Sequence, residues 1–207
     1  MILTEPVARY LGELHAADDP LLARMRAHGV RDGIPIVAAE TGALLELLTA
    51  ATGARRAVEV GTAIGVSTLH LARGGAHVTS FEVDGERHAA ARGYLAEAGL
   101  ADRVDLRLQD ATEGLAALAP PFDLAFVDGP KLSYEPHVER CVALLRRGGV
   151  LVVDNALMGG GVAGAESHWS QSSVEAQRAL NARLLADPRL VATVTAVGDG
   201  VALAVLR

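Results

Sequence analysis

Five short apolar runs recur along the chain, at Ala57–Val60, Val78–Glu82, Val104–Leu108, Leu124–Val127 and Val150–Val153. Between them lie longer stretches with helical spacing, at Val66–Ala72, Gly85–Ala98, Thr112–Leu118 and Glu135–Arg146. Parallel strands need a crossover of roughly a dozen or more residues, usually a helix, and this alternation supplies one each time. It therefore predicts an α/β fold in which βα units wind around a mostly parallel sheet. Several runs are apolar without alternation, as strands covered on both faces require. Gly148-Gly149 after Arg146-Arg147 reads as a helix stop before the fifth strand. The C-terminal VATVTAVGDGVALAVLR reads as two more strands joined by Gly198-Asp199-Gly200, an antiparallel hairpin. Residues 1–50 break the rhythm and read as helical, with Pro6 near a first-turn position and Thr41–Ala51 apolar on one face. One domain over residues 1–207 is expected, with a helical cap over 1–50 and a seven-stranded core over 51–207.

Charge and composition narrow the partners. The 207 residues carry 19 Lys+Arg against 25 Asp+Glu, a formal net charge of −6. That balance argues against nucleic acid or an anionic membrane as partner, and an aromatic content of 3% argues against base-stacking platforms. One cysteine excludes an intrachain disulfide and fits a reducing, cytoplasmic setting. The start lacks the basic region of a signal peptide, and no apolar run approaches the roughly 18 residues of a membrane span.

The first strand leads into Gly61-Thr62-Ala63-Ile64-Gly65 and then a helix, the architecture of a nucleotide-type site. The spacing is not that of a dinucleotide fingerprint, and no phosphate-binding lysine follows. Glu59, two residues before Gly61, would repel a pyrophosphate but suits an ammonium group. S-adenosylmethionine carries an ammonium and no phosphate. Ser67 at the helix start is placed to bind its carboxylate, together with backbone N–H groups. The second strand ends in Glu82, 21 residues after Gly61 (82 − 61), where ribose hydroxyls are held. Asp84 is the alternative. Asp110, after the third strand, is placed to accept from an adenine amino group. Each acid could instead cap the following helix, but three at successive strand ends favour the cofactor.

The fourth strand ends in Asp128 and the fifth in Asp154-Asn155, 26 residues apart (154 − 128), the length of one crossover. Two carboxylates and a carboxamide make a hard oxygen set suited to Mg²⁺, with Mn²⁺ or Ca²⁺ as alternatives. A lysine amine beside a divalent cation releases its proton more readily because like charges repel. Lys131, three residues after Asp128, is thus a candidate general base; its plainer reading is a partner for a surface acid.

Together VEVGTAIGVSTL, FEVD, QDA, FVDGPKLSY, GGVLVVDNAL and DPRLVATVTAVGDGVAL resemble the cation-dependent O-methyltransferases, the group that contains caffeoyl-CoA and catechol O-methyltransferases. The resemblance covers nearly the whole chain, and Asp-x-x-Lys-x-x-Tyr with Asp-Asn is its specific part. It implies a Rossmann-like class I methyltransferase fold with the first and fourth strands adjacent. It implies cofactor contacts at Val37, Glu59, Gly61, Ser67, Glu82, Asp110, Ala111 and Asp128. It implies metal ligands at Asp128, Asp154 and Asn155, with Lys131 as base, a catechol-like vicinal diol as substrate and a homodimer. Gly129-Pro130 and Leu157-Met158 depart from the better-known members, and with so few aromatics a pocket without an aromatic wall is expected. Gly159–Gly164 reads as a lid or a mobile connection. The seven histidines show no ligand spacing, and of these only His137 falls near the site. Cys141 reads as a core residue. Two alternatives stand beside this reading: a nicotinamide-dependent oxidoreductase and a non-catalytic cofactor-binding protein.

Overall fold

The computed structural model describes residues 5–16 and 19–207. Expectations for residues 1–4, 17 and 18 lie outside the described residues. Seven strands form one sheet: β1 (Arg56–Val60), β2 (His77–Glu82), β3 (Val104–Leu108), β4 (Phe122–Val127), β5 (Leu145–Val153), β6 (Leu190–Thr195) and β7 (Val201–Leu206). Their order is β3-β2-β1-β4-β5-β7-β6. The first five are parallel, and β7 pairs antiparallel with both β5 and β6. The adjacency of β1 and β4, implied by the resemblance, is thus found.

Burial follows the two-residue period of strands. In β4, Leu124 and Phe126 enter one core cluster while Ala125 and Val127 enter the other. In β5, Val150 and Val152 alternate with Leu151 and Val153 in the same way. Helices α2 (Pro20–Asp32), α3 (Ala39–Thr52), α4 (Val66–Arg73) and α5 (Gly85–Glu97) contribute to the first cluster. Helices α6 (Ala111–Ala116), α7 (Tyr134–Leu144) and α8 (Gln171–Ala186) contribute to the second. A further helix, α1 (Glu5–Ala16), packs near α3.

Three expectations are corrected. Residues 1–50 are not helical throughout. Asp19 caps α2 by accepting from Leu21 N (2.9 Å) and Leu22 N (3.0 Å), and α2 ends at Gly33 with φ 63°. Residues 34–38 then lie outside any helix, where Pro35 lacks a donor and biases Ile34 away from the α region. Strand β5 begins at Leu145, not Val150. Leu145 pairs with Phe122, and an irregularity before the Leu124–Val150 pair absorbs Arg146–Gly149 within the strand. Helix α8 was not anticipated, although Val174, Gln177, Leu180 and Leu184 supply its buried face and Ser170 caps it through Ser173 N (3.2 Å). The glycine stretch after β5 is a short 3-10 segment, Met158–Ala163, with Gly159 and Gly160 at positive φ.

Candidate active site

The chain leaves β1 toward β2 and β3 on one side and returns as β4 and β5 on the other. Such a switch point opens a crevice at the carboxyl ends of the strands, and a cleft of about 930 Å³ lies there. Val37, Gly61, Ser67, Glu82, Asp110, Ala111, Asp128, Lys131, Asp154 and Asn155 all line it. Of the residues expected at the site, Glu59 and the alternative ribose ligand Asp84 do not.

In the half beside β1–β3, Gly61 has φ 94°, and a Cβ placed on it would sit 2.1 Å from the Asp128 carbonyl oxygen. Only glycine suits that conformation and that approach. The N–H groups of Gly61 and Thr62 donate to Phe81 O (3.2 and 3.1 Å), so the turn is tied to β2. Glu82 Oε2 accepts from Ala63 N (2.8 Å), and its Oε1 accepts from Val83 N and Asp84 N (2.8 and 2.9 Å). These bonds fix the carboxylate at the cleft and leave lone pairs for a ligand. Asp84 instead caps α5, accepting from Glu86 N and Arg87 N (both 2.9 Å), and it does not line the cleft. Asp110 does both: its Oδ1 caps α6 through Thr112 N (2.7 Å), and it faces the cleft. Hydrogen bonds from Thr112 hold its carboxyl below the usual carboxylate range.

Glu59 stands apart from the residues that line the cleft. Its side chain is fully buried, with Oε2 accepting from Thr68 Oγ1 (2.5 Å) and Ser80 Oγ (2.6 Å) while Oε1 has no partner. Burial raises its pKa against the pull of the Ser67, Ser80 and Thr68 hydroxyls. The reason is the strand period: Val58 and Val60 face one core cluster, which turns Glu59 to the opposite side, under α4.

The half beside β4 and β5 gathers oxygens. Lys131 Nζ donates to Asp128 Oδ1 (2.8 Å), to Asn155 Oδ1 (2.6 Å) and to the Tyr134 hydroxyl. Tyr134 donates to Asp128 Oδ1 (3.2 Å), and burial followed by the charges of Asp128 and Asp154 keeps its phenol protonated. Asp154 is 3% exposed, and its Oδ1 has no partner. Burial first, and then Asp128, push its pKa up to about 8. Asn155 has φ 57°, a left-handed conformation that asparagine tolerates better than most residues. Among the described residues, no three or more His, Cys, Asp or Glu side chains form a metal-sized cluster. The set here is instead two carboxylates and a carboxamide, of which Asp128 and Asn155 are drawn onto the Lys131 ammonium. An orphaned carboxylate oxygen within an all-oxygen group fits a hard divalent cation.

Asp199 and His168 were missed in the sequence, whereas Trp169 reads from it as shielding the pocket or anchoring the glycine loop. Asp199, read only as a hairpin turn, lines the cleft. Trp169 and His168 line it too, with ring centroids 4.9 Å apart, and the Trp169 ring lies 5.2 Å from Lys131 Nζ. The expected lack of an aromatic wall is therefore not what the fold provides. His137 is buried at the cleft, with Nε2 3.1 Å from Thr112 Oγ1. His70 is buried with Nδ1 2.9 Å from Glu46 Oε2, while its Nε2 has no partner, and Cys141 lies in the core.

Comparison with known proteins agrees with this geometry. The family model described as O-methyltransferase matches residues 13–207. A catechol O-methyltransferase of Mycobacterium tuberculosis is 39% identical over 212 residues, covering 97% of this chain and 95% of that protein. The crystal structure of an O-methyltransferase from Bacillus cereus in complex with SAH is similar with a TM-score of 0.85 at 29% identity, over 98% of this chain and 97% of that one. The O-methyltransferase TomG from Streptomyces achromogenes, solved in complex with SAM, gives 0.84 at 28% identity, over 99% of each chain. These matches set aside the oxidoreductase alternative, and the chain belongs to the family of S-adenosylmethionine-dependent class I O-methyltransferases.

Proposed function

We propose that the protein, as a single-domain enzyme, uses a divalent cation to methylate one hydroxyl of a small vicinal diol of the catechol type. The observation that carries this reading is the continuity of the cleft at Asp128. Its carbonyl packs on the Gly61 turn, while its carboxylate belongs to the oxygen cluster with Asn155 and Lys131. A methyl donor at the turn and a hydroxyl at the oxygen cluster would then be neighbours.

Asp128, Asp154 and Asn155 would hold the cation, with Mg²⁺ favoured by their oxygen chemistry. Val37, Gly61, Ser67, Glu82, Asp110, Ala111 and Asp128 would hold S-adenosylmethionine, with Glu82 on the ribose and Asp110 at the adenine. Glu59 would act from beneath, its buried carboxyl lying outside the cleft lining. When bound, the cofactor supplies an activated methyl group, and the cation supplies positive charge that stabilises a deprotonated hydroxyl. Lys131 Nζ is the group placed to take the hydroxyl proton. Trp169, beside Lys131 in the cleft lining, would limit the access of water to the reacting oxygen. With an activated methyl donor, positioning by these side chains is the protein's main contribution.

The remaining parts of the proposal are a homodimer and a cytoplasmic location. Val7, Tyr10 and Leu14 form an exposed stripe at i, i+3 and i+7 on α1, which supports association through the helical layer. The lone buried cysteine supports a reducing compartment, and no described helix is long and apolar enough to cross a membrane.

The test is transfer of a labelled methyl group to catechol. Activity should stop with EDTA and return with Mg²⁺, and Lys131→Ala should lower kcat with little change in cofactor affinity. Activity indifferent to chelation would remove the cation. An unchanged turnover in Lys131→Ala would remove the base.

A further inference from the structure

Asp199 sits at the tip of the β6–β7 hairpin, half-buried, and its carboxylate gathers the loop after β5 at two points together with Trp169. Oδ1 accepts from the backbone N–H of Gly159 in the glycine stretch. Oδ2 accepts from Trp169 Nε1 (3.3 Å) and from Asn155 Nδ2 (3.4 Å). The hairpin backbone grips the same loop. Leu157 N donates to Asp199 O (3.0 Å) and Ala156 N to Gly200 O (2.8 Å).

We infer that Asp199 is a positioning residue that turns the Asn155 carboxamide so that oxygen, not nitrogen, faces the cation position. This inference rests on the cation reading proposed above. A carboxamide has one accepting end and one donating end, and an ionised carboxylate only accepts. With Asp199 Oδ2 against it, Asn155 must present Nδ2 to Asp199 and Oδ1 to the opposite side. That side is where Lys131 Nζ lies 2.6 Å from Oδ1. The reversed amide would set oxygen against carboxylate and an NH₂ group against positive charge. The same oxygen that orients Asn155 also holds the Trp169 indole, so ligand orientation and one wall of the cleft share a single anchor. Outer partners of this kind commonly govern metal affinity about 10–100-fold.

The experiment measures Mn²⁺ binding to the full chain by the electron paramagnetic resonance signal of free Mn²⁺. Asp199→Asn keeps the shape but can present a donor, and it should weaken Mn²⁺ about 10–100-fold. Removing a nearby negative charge would also weaken a cation, so the decisive comparison uses the Asn155→Ala background. If Asp199 acts through Asn155, Asp199→Asn has no further effect there; if it acts as a charge or a strut, the losses add. Asp199→Glu, still acceptor-only, should bind Mn²⁺ more tightly than Asp199→Asn or Asp199→Ser. Trp169 is the single tryptophan, so its fluorescence in Asp199→Asn should become more accessible to acrylamide. Wild-type affinity in Asp199→Asn, additive losses in the double variant, or the reverse ranking of Glu and Asn would each overturn the inference. Absence of Mn²⁺ binding by the wild-type protein would instead overturn the cation reading and this inference with it.

Discussion

Gly61→Ala probes the place where the fold and the proposed chemistry meet. Gly61 has φ 94°, and an added Cβ would lie 2.1 Å from the Asp128 carbonyl oxygen and 2.9 Å from its carbon. Both opposing atoms are backbone, and Asp128 N is tied to Val60 O at 2.9 Å. Relief therefore requires the ends of β1 and β4 to separate. A non-glycine residue held in such a conformation costs about 1–3 kcal/mol, and overpacking a closed site costs about 1–3 kcal/mol more. The sum, about 2–6 kcal/mol, is a large part of the 5–15 kcal/mol typical of a whole domain. For a chain of this size it corresponds to a fall in Tm of roughly 5–20 °C. Gly75→Ala supplies the control, because Gly75 has φ 113° but nothing within 4 Å of the added carbon. Thermal unfolding followed by circular dichroism gives both values, and calorimetry with S-adenosylhomocysteine gives the effect on the cleft. Gly61→Ala should lose more stability than Gly75→Ala and also lose cofactor affinity. Equal losses in the two variants, with affinity intact, would refute the clash between Gly61 and Asp128.

Other perturbations separate the roles of the acids and histidines. The pKa of Asp154, raised from 3.8 to about 8 by burial and then by Asp128, means the native chain holds a proton that the unfolded chain releases. Metal-free stability should therefore fall as pH rises from about 4 to about 8, and Asp154→Asn should flatten that slope while abolishing Mg²⁺ binding in calorimetry. His70 gives the opposite slope, because burial lowers its pKa below the ordinary 6.5, so the unfolded chain binds the proton that the native one refuses. Stability contributed by neutral His70 is lost as pH falls below about 6.5, and His70→Gln should reduce that loss in melts at pH 7.5 and 5.5. Asp84→Ala should lower Tm modestly through the lost cap of α5 with S-adenosylhomocysteine affinity unchanged, whereas Glu82→Ala should weaken that affinity sharply. The reverse pattern would make Asp84 the ribose ligand.

Local chemistry made much of this protein legible in one dimension. Apolar runs with crossover-length spacing specify parallel strands. Glycine at position 61 and acids at positions 82, 110, 128 and 154 follow directly from strand ends, so they reach one sheet edge whatever the strand order. Helix α8 was equally written, in its buried face and its Ser170 cap, and went unread. Other features are non-local and no spacing carries them. The side of the sheet that Glu59 faces depended on which face of a doubly covered strand each residue takes, since Val58 and Val60 would suit either. The continuity between the Gly61 turn and the oxygen cluster depended on β4 lying beside β1. Asp199 joined the cleft because the antiparallel hairpin adds β7 to β5, bringing its tip against a residue 44 positions earlier, and there it accepts from the Trp169 indole. Sequence determines what each strand end can offer, through periodicity and side-chain chemistry acting over a few residues; packing of the sheet decides which of those offers meet.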